Sequence, residues 1–487
     1  MKISRRNVLF GGFAMASVFS VRGAHAAGMM SNGRRLRIGV MSDIHITDEA
    51  SVGRVEKALL YFRDRDVDGV LIAGDLIDGG VREQLEIFAG TWFKVFPGNR
   101  GRNGEIVEKL FIYGNHDIGG HRYSYPAIKT KSKEWIEKNA LSLGENRRLL
   151  WEELFREKWE PIWKKTVKGY VFVGGNWSRG PKHVDGAPEW LRTHASELKG
   201  RKPFFYIQHP HPKGTIPYAW SGDDGTVTAA LSEFPNAVAI TGHSHMALVD
   251  DRSIWQGAFT CINASSLRYT CNFGGRENSR EFGVEDPKTS QMFPIWAEDV
   301  APVMVMDVYD DALMFSRYDV LNDQKLADDW VLPWNNGKGA DTMSYEKRAE
   351  SQPIAQFAPD AKITVFERRG LNRKKEKVEQ VVVSFPNVRR MDGSPARAYD
   401  FEVTCEVRDF DVIKAHKVKR VFSPKYCLPE SLDAESVTCV FAKSELPQPK
   451  SINDGPDRNT IAWRFIVRAC NSFAVRGRGL ATKWFEL

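Results

Sequence analysis

The sequence predicts an α/β domain followed by a small all-β domain, and three observations carry that expectation. From Leu36 to about Val320, short apolar runs alternate with amphipathic stretches. From about Asn322 to Ala361 periodicity fades and polar, Gly and Pro residues take over, as in Pro333-Trp334-Asn335-Asn336-Gly337-Lys338-Gly339, which predicts a linker over 322–361. Beyond Lys362, strand-like runs recur at the regular spacing of a β-sandwich over 362–487.

The chain opens with a targeting segment rather than structure. Arg5-Arg6 precede an apolar run from Val8 to Val21, and Ala24-His25-Ala26 closes it with small residues. This resembles a twin-arginine export signal over 1–26, cleaved after Ala26. It implies the twin-arginine machinery as a partner and a periplasmic or secreted location. The run is short and holds Gly and Ser, so no transmembrane anchor is expected.

A catalytic domain is expected over 34–321. Its strand candidates are Leu36–Met41, Gly69–Ala73, Lys109–Tyr113, Tyr170–Gly174, Pro203–Gln208 and Ala237–Thr241, with a late hairpin of Val303–Val308 and Leu313–Arg317. Val55, Leu59, Leu60 and Phe62 recur at helical spacing within Val52–Arg65. A segment at about 127–168, rich in Trp, Lys, Arg and Glu, reads as inserted helices overhanging the block before it. In the last part, Lys362–Glu367, Val378–Phe385, Tyr399–Val407, Ser436–Ala442 and Ile461–Ala469 read as strands.

Composition excludes some functions. With 42% hydrophobic and 27% charged residues the chain is ordinary soluble globular material. The formal charge of +7 is inflated by Lys2, Arg5, Arg6 and Arg22. Without them 65 basic residues face 62 acidic ones, a net of +3. Stable nucleic-acid binding is therefore not expected, and the cluster Arg368, Arg369, Arg373, Lys374 and Lys375 reads as a solvated turn. The six cysteines form no CxxC pair and suggest no zinc knuckle; an oxidising compartment permits disulfides, and buried free thiols are the alternative.

The chemistry lies in five blocks, each just past a strand candidate: Asp43-Ile44-His45, Gly74-Asp75, Gly114-Asn115-His116-Asp117, His209, and Gly242-His243-Ser244-His245. Carboxylate, imidazole and amide donors on loops at strand ends suit a pair of divalent metal ions. A carboxylate at Asp75 can bridge two cations. His211 is an alternative to His209, which is preferred because it directly follows its strand. His25, His183, His194 and His416 read as surface or hydrogen-bonded residues.

The ordered pattern Asp-x-His, Gly-Asp, Gly-Asn-His-Asp, His, Gly-His-x-His resembles the calcineurin-like metallophosphoesterase superfamily over roughly Leu36 to His245. The resemblance implies a four-layer α/β/β/α sandwich and a dinuclear centre of Mn, Fe, Zn or Mg. It implies that Asp43, His45, Asp75 and His245 hold one ion, and Asp75, Asn115, His209 and His243 the other. His116 is then the non-ligand catalytic histidine and Asp117 its orienting partner. Two cations about 3.5–4 Å apart activate a bridging hydroxide and clamp phosphoryl oxygens, while His116 protonates the leaving oxygen. The end of the chain, Phe465 to Phe473, resembles the last strands of a fibronectin III-like module.

The expected activity is hydrolysis of phosphate mono- or diesters. His121 and Arg122, in the loop after Gly119-Gly120, and Asn176 are the expected substrate-binding residues. The competing readings are a nuclease, disfavoured by the charge balance, and a cell-surface glycan- or protein-binding protein with a vestigial metal site. The complete donor set argues against the latter, and the sandwich is expected to pack on the catalytic domain.

Overall fold

The computed structural model describes residues 33–120, 130–178, 184–217, 222–272, 276–278, 295–339, 341–351, 355–372, 374–388, 397–432, 434–448 and 461–486. The expected export signal and the substrate-binding candidates His121 and Arg122 lie outside these residues. Among them, no helix is long and apolar enough to cross a membrane.

In chain order the first part runs β1 (Leu36–Met41), α1 (Val52–Arg63), β2 (Gly69–Ile72), α2 (Arg82–Val95), β3 (Glu108–Phe111), α3 (Asn115–Gly119), α4 (Lys133–Asn139) and α5 (Gly144–Phe155). Then follow β4 (Ile162–Val167), β5 (Tyr170–Gly175), α6 (Ala187–Thr193), α7 (Ala195–Leu198), β6 (Phe204–Gln208), α8 (Thr226–Leu231), β7 (Ala237–Thr241), β8 (Ile254–Gln256), β9 (Thr260–Asn263) and β10 (Thr270–Asn272). The part closes with β11 (Ile295–Ala297), β12 (Pro302–Val308), β13 (Ala312–Asp319), β14 (Gln324–Lys325), β15 (Trp330–Asn335), β16 (Lys338–Gly339) and α9 (Tyr345–Ser351).

Two mixed sheets form the middle of this domain. One has the order β16-β15-β13-β12-β1-β2-β3, with β14 paired to β13, and the other β4-β5-β6-β7-β9-β8. Strands β1, β2 and β3 run parallel, as do β5, β6, β7 and β9. Period-two alternation sorts the side chains into layers. Ile38, Val40, Leu71 and Leu110 meet Phe172, Phe205, Ile207 and Ile240 between the sheets. On the outer face of the first sheet, Val70, Ile72 and Phe111 pack on Leu59 and Phe62 of α1, Phe88 and Trp92 of α2, and Trp151 and Phe155 of α5. Phe204, Tyr206 and Ala239 face outward from the second sheet onto Leu191 of α6 and Val227 and Leu231 of α8. Helix, sheet, sheet, helix is the expected four-layer order. Each fully buried Phe or Leu contributes about 1.5–3 kcal/mol.

Two expectations need correction. The proposed linker over 322–361 contains β14, β15 and β16, which extend the first sheet, and α9. Trp330, Leu332 and Trp334 alternate into the intersheet core, so Pro333 and the glycines mark the rim of a sheet rather than a tether. The inserted helices over 127–168 end early: α4 and α5 occupy 133–155, but Ile162–Val167 is β4, the edge of the second sheet, hairpinned to β5.

The C-terminal part is a sandwich. Strands β17 (Thr364–Leu371), β18 (Lys377–Pro386), β19 (Asp400–Asp409), β20 (Val412–Phe422), β21 (Ser436–Ala442), β22 (Ile461–Cys470) and β23 (Leu480–Ala481) form the sheets β17-β18-β21 and β20-β19-β22-β23. Val381, Val383, Phe385, Phe401, Val403, Phe441, Phe465 and Val467 fill the space between them. The sandwich is joined to the first domain by Tyr399, Phe422, Tyr426 and Leu428, which enter the intersheet core cluster, and by Arg252 over the Tyr399 ring at 4.4 Å. It therefore packs on the α/β domain, as expected. All six cysteines are buried free thiols.

Candidate metal centre

The five donor blocks converge at the C-terminal ends of parallel strands from both sheets. Asp43 lies past β1, Asp75 past β2, Asn115 past β3, His209 past β6, and His243 and His245 past β7. The backbone there is unusual: Asp43, His45, Asp75, His243 and His245 all have positive φ, between 45° and 64°. Left-handed geometry costs a non-glycine residue about 1–3 kcal/mol and persists only where surrounding contacts enforce it. Gly74, at φ 94°, faces His209 so closely that a Cβ would lie 2.4 Å from Nδ1. At Gly242 a Cβ would meet Ser42 Oγ at 1.9 Å and Asp43 Oδ2 at 2.4 Å. Only glycine lets these loops approach the donors so closely.

Two sets of side chains meet across the centre. In one, His245 Nε2 lies 2.9 Å from Asp43 Oδ1, and His45 Nε2 lies 3.8 Å from the same oxygen. In the other, His209 Nε2 lies 3.1 Å from Asp75 Oδ2 and 2.9 Å from Asn115 Oδ1. Asp75 also lies 3.7 Å from His45 Nε2, so its carboxylate faces both sets. Their ligand atoms are close enough to share metal ions in the groups Asp43–His45–His245 and Asp43–Asp75–His209.

The hydrogen bonds say what this cluster lacks. Each of three imidazoles commits Nδ1 to an oxygen: His45 to Asp78 Oδ1 at 2.9 Å, His245 to the Tyr269 carbonyl at 3.1 Å, and His209 to the Ala73 carbonyl at 2.7 Å. With Nδ1 donating, Nε2 carries a lone pair. Yet His45 Nε2 and His245 Nε2 face each other at 3.3 Å, and His209 Nε2 faces the amide and carboxylate oxygens. Among the described residues, no lysine or arginine pairs with Asp43, Asp75 or Asp78. Positive charge must lie among these atoms, as protons in the metal-free chain or as cations in the loaded one. The residues fit a pair of divalent ions.

The electrostatics agree. Burial pushes Asp43 up, but the imidazoles of His245 and His209 outweigh it and hold the carboxyl well below the usual range. Asp75 and Asp78 are likewise lowered against burial, the first by His209 and His116, the second by hydrogen bonds from His116 and His45. Burial opposes the charge on His45 and His209, yet Asp43 and Asp78 lift His45 to about 10, and Asp75 and Asp43 lift His209 to about 9. His243 is pushed down to about 3 by burial and then by His209. Its ring lies 5.0 Å from that of His209, and its backbone N–H donates to the Asp43 carboxylate at 3.0 Å.

Three predicted residues have other positions or tasks. Asp117 does not steady His116: its oxygens accept the backbone N–H of Gly114 at 2.6 Å and of Ile77 at 2.9 Å, because the first turn of α3 carries it toward the loop after β2. The carboxylate that reaches His116 is Asp78, with Oδ1 3.1 Å and its carbonyl 3.0 Å from Nδ1. Asn176 is not a substrate ligand either. Its Oδ1 accepts from the Tyr113 N–H at 2.7 Å and its Nδ2 donates to the Glu160 carbonyl at 2.8 Å, so it ties β3 to β5. His211 is buried outside the cluster, with its pKa lowered to about 4 by burial, and His209 holds the central position.

Sequence reasoning missed Asp78 and Tyr269. Asp78 stands three residues after Asp75, and that spacing within the same loop was its only signal. Tyr269, whose ring lies 4.2 Å from His245 and 6.0 Å from His45, had none, since it follows a loop 24 residues beyond its partner. The neighbour of Asn176, Trp177, lies beside His209 and His243, with 5.9 Å between ring centroids in each case.

The two-sheet sandwich and its His/Asp cluster are consistent with a metallophosphoesterase core. Residues 36–247 match the sequence profile of the calcineurin-like phosphoesterase family, and the chain carries a domain of that family over this span. No curated protein matches the chain. Among solved structures, it is similar to GAP50, the anchor in the inner membrane complex of Plasmodium, at 11% identity and a TM-score of 0.37, covering 62% of this chain and 90% of that one. It is similar to wild-type Vps29 complexed with zinc from Entamoeba histolytica at 12% identity and a TM-score of 0.28, covering 62% and 100%. A novel archaeal phosphodiesterase is similar at 12% identity and a TM-score of 0.24, covering 54% and 100%.

Proposed function

We propose that the protein is a metal-dependent phosphoesterase that hydrolyses phosphate mono- or diesters with two divalent ions. The observation that carries this reading is the set of inward-facing Nε2 atoms and carboxylates that, among the described residues, no lysine or arginine pairs with. Asp43, His45, Asp75 and His245 would hold one ion, and Asp75, Asn115, His209 and His243 the other. When bound, such ions supply Lewis acidity and a nucleophile at neutral pH.

The remaining steps belong to the chain's own residues. Asp78 and Tyr269 fix the tautomers of His45 and His245, and Ala73 fixes that of His209. His116 is not in the groups Asp43–His45–His245 and Asp43–Asp75–His209, but its ring stands edge-on to His45 at 4.6 Å and it shares a third group of close ligand atoms with His45 and Asp78. Asp78 accepts from Nδ1 of His116, which leaves Nε2 to face the leaving oxygen; the ring delivers the Nε2 proton from its doubly protonated form and is left neutral. The paired arginines and short apolar run of the N-terminus support export through the twin-arginine route; cell fractionation of the tagged chain, with and without Arg5→Lys/Arg6→Lys, tests that.

The activity is tested with a monoester and a diester of one chromophore after loading with Mn, Fe or Zn. Turnover of at least one is expected. No turnover with any of the metals would sink the reading.

A further inference from the structure

Arg147, near the N-terminus of α5, is half-buried and carries a charge that its surroundings leave unanswered. Among the described residues no carboxylate pairs with its guanidinium, because the helix's own Glu145 and Glu152 pair with Arg148 instead. Burial lowers its pKa, and the group that opposes this is the Tyr113 phenol. The guanidinium lies 5.5 Å from the ring centroid of Trp159, and both Arg147 Nε and Trp159 Nε1 are buried without a hydrogen-bond partner. A cation in this turn also opposes the helix dipole. Donors without acceptors and a charge without a counter-ion each destabilise a fold, and an incoming oxyanion would relieve both.

The pair is tied to the strand ends that carry the centre. The Tyr113 hydroxyl donates to the Arg147 carbonyl at 3.3 Å, and Tyr113 precedes the donor Asn115 by two residues, at most about 7 Å of chain. Trp159 adjoins Glu160 and Pro161, whose carbonyls accept from the side chain and main chain of Asn176, just past β5. Arg147 and Trp159 therefore stand at the rim above β3 and β5. We propose that they frame an oxyanion subsite, separate from the metal pair, that takes a phosphate or carboxylate group. The group is either a second anionic group of the substrate or free phosphate. Only its assignment to the substrate rests on the phosphoesterase reading.

The first test needs no turnover. Full-length chelated protein and its Arg147→Gln variant are melted in rising inorganic phosphate, with chloride holding the ionic strength constant. Without phosphate the variant should melt no lower than the parent, since it loses an unanswered charge. Phosphate should then raise the parent's Tm by a few degrees more than the variant's. An equal rise in both is the general effect of phosphate on folded proteins and overturns the subsite. So does a variant that melts well below the parent in phosphate-free buffer, because Arg147 is then a structural residue. The second test finds the source of the anion with metal-loaded protein, comparing 3-carboxyphenyl with phenyl 4-nitrophenyl phosphate. A kcat/KM ratio of about ten in the parent, falling toward one in Arg147→Gln, assigns the subsite to the substrate. A phosphate response without that preference assigns it to free phosphate. Turnover of neither ester would overturn the phosphoesterase reading and leave the melting result standing.

Discussion

The two halves of the proposed centre are built from the same residue types but differ in charge and support. The half made by Asp43, His45 and His245 has a carboxylate of its own, and its imidazoles are backed by Asp78 and the Tyr269 carbonyl. The half made by His209, Asn115 and His243 contributes only neutral donors, and shares Asp75 with its neighbour. Charge count and rigidity set cation affinity, so the first half should hold its ion more tightly and the second should exchange it. His116, the proposed proton donor, is bound through Asp78 to the first half, which would give that half a catalytic as well as a binding task.

Removing the shared carboxylate breaks the comparison altogether. Asp75→Ala should empty both halves and lower kcat/KM by at least about a thousandfold, read by metal analysis and ester hydrolysis on the same sample. His116→Ala should keep both ions yet lose about 10²–10⁴-fold on esters with poor leaving groups, with a smaller loss on a 4-nitrophenyl ester. Loss of metal in that variant would contradict its place outside the ligand set. Asp78→Asn should cost about 10–100-fold and depress occupancy of the first half only, because it orients His45 and His116 but neither His209 nor Asn115.

A pH series sharpens the comparison with the smallest effect. In the metal-free chain the pKa of His45 is raised to about 10, above the ordinary 6.5. Its proton therefore contributes stability that is complete below about pH 6.5 and is lost as the pH rises toward 10. His209, raised to about 9, behaves in the same way. The lowered Asp43, Asp75 and Asp78 act in the opposite sense, contributing stability above pH 3.8 that is lost as the pH falls further. Thermal melts of chelated protein should show Tm declining from pH 6.5 to 10, whereas metal-loaded protein, whose imidazoles are neutral ligands, should lack that decline. Parallel curves would mean that these protons do not occupy the cation positions.

The centre was largely legible in the sequence because each donor sits beside a buried strand whose end is marked by glycine or by a change of pattern. Gly74 and Gly242 signal the close approach, and the apolar runs before them signal the parallel strands. Asp78 was hidden because its neighbours Leu76 and Ile77 make it look like one more polar residue of a turn. Asp117 misled for the converse reason: adjacency in sequence suggested contact with His116, but a helical first turn separates the two side chains. The sandwich shows the same limit on the scale of elements. Strand β20, Val-Ile-Lys-Ala-His-Lys-Val-Lys-Arg-Val-Phe, is an edge strand exposed over most of its length, so no alternation announced it. β15 was masked by its proline, which an outer strand tolerates.

The most direct test is the number of ions bound per chain in the parent, in His245→Ala and in Asn115→Ala, measured after loading and desalting. The account predicts two, then one in each variant, with the ion of Asn115→Ala surviving a chelator that strips His245→Ala. One ion in the parent, or two retained in both variants, would contradict a centre made of two halves.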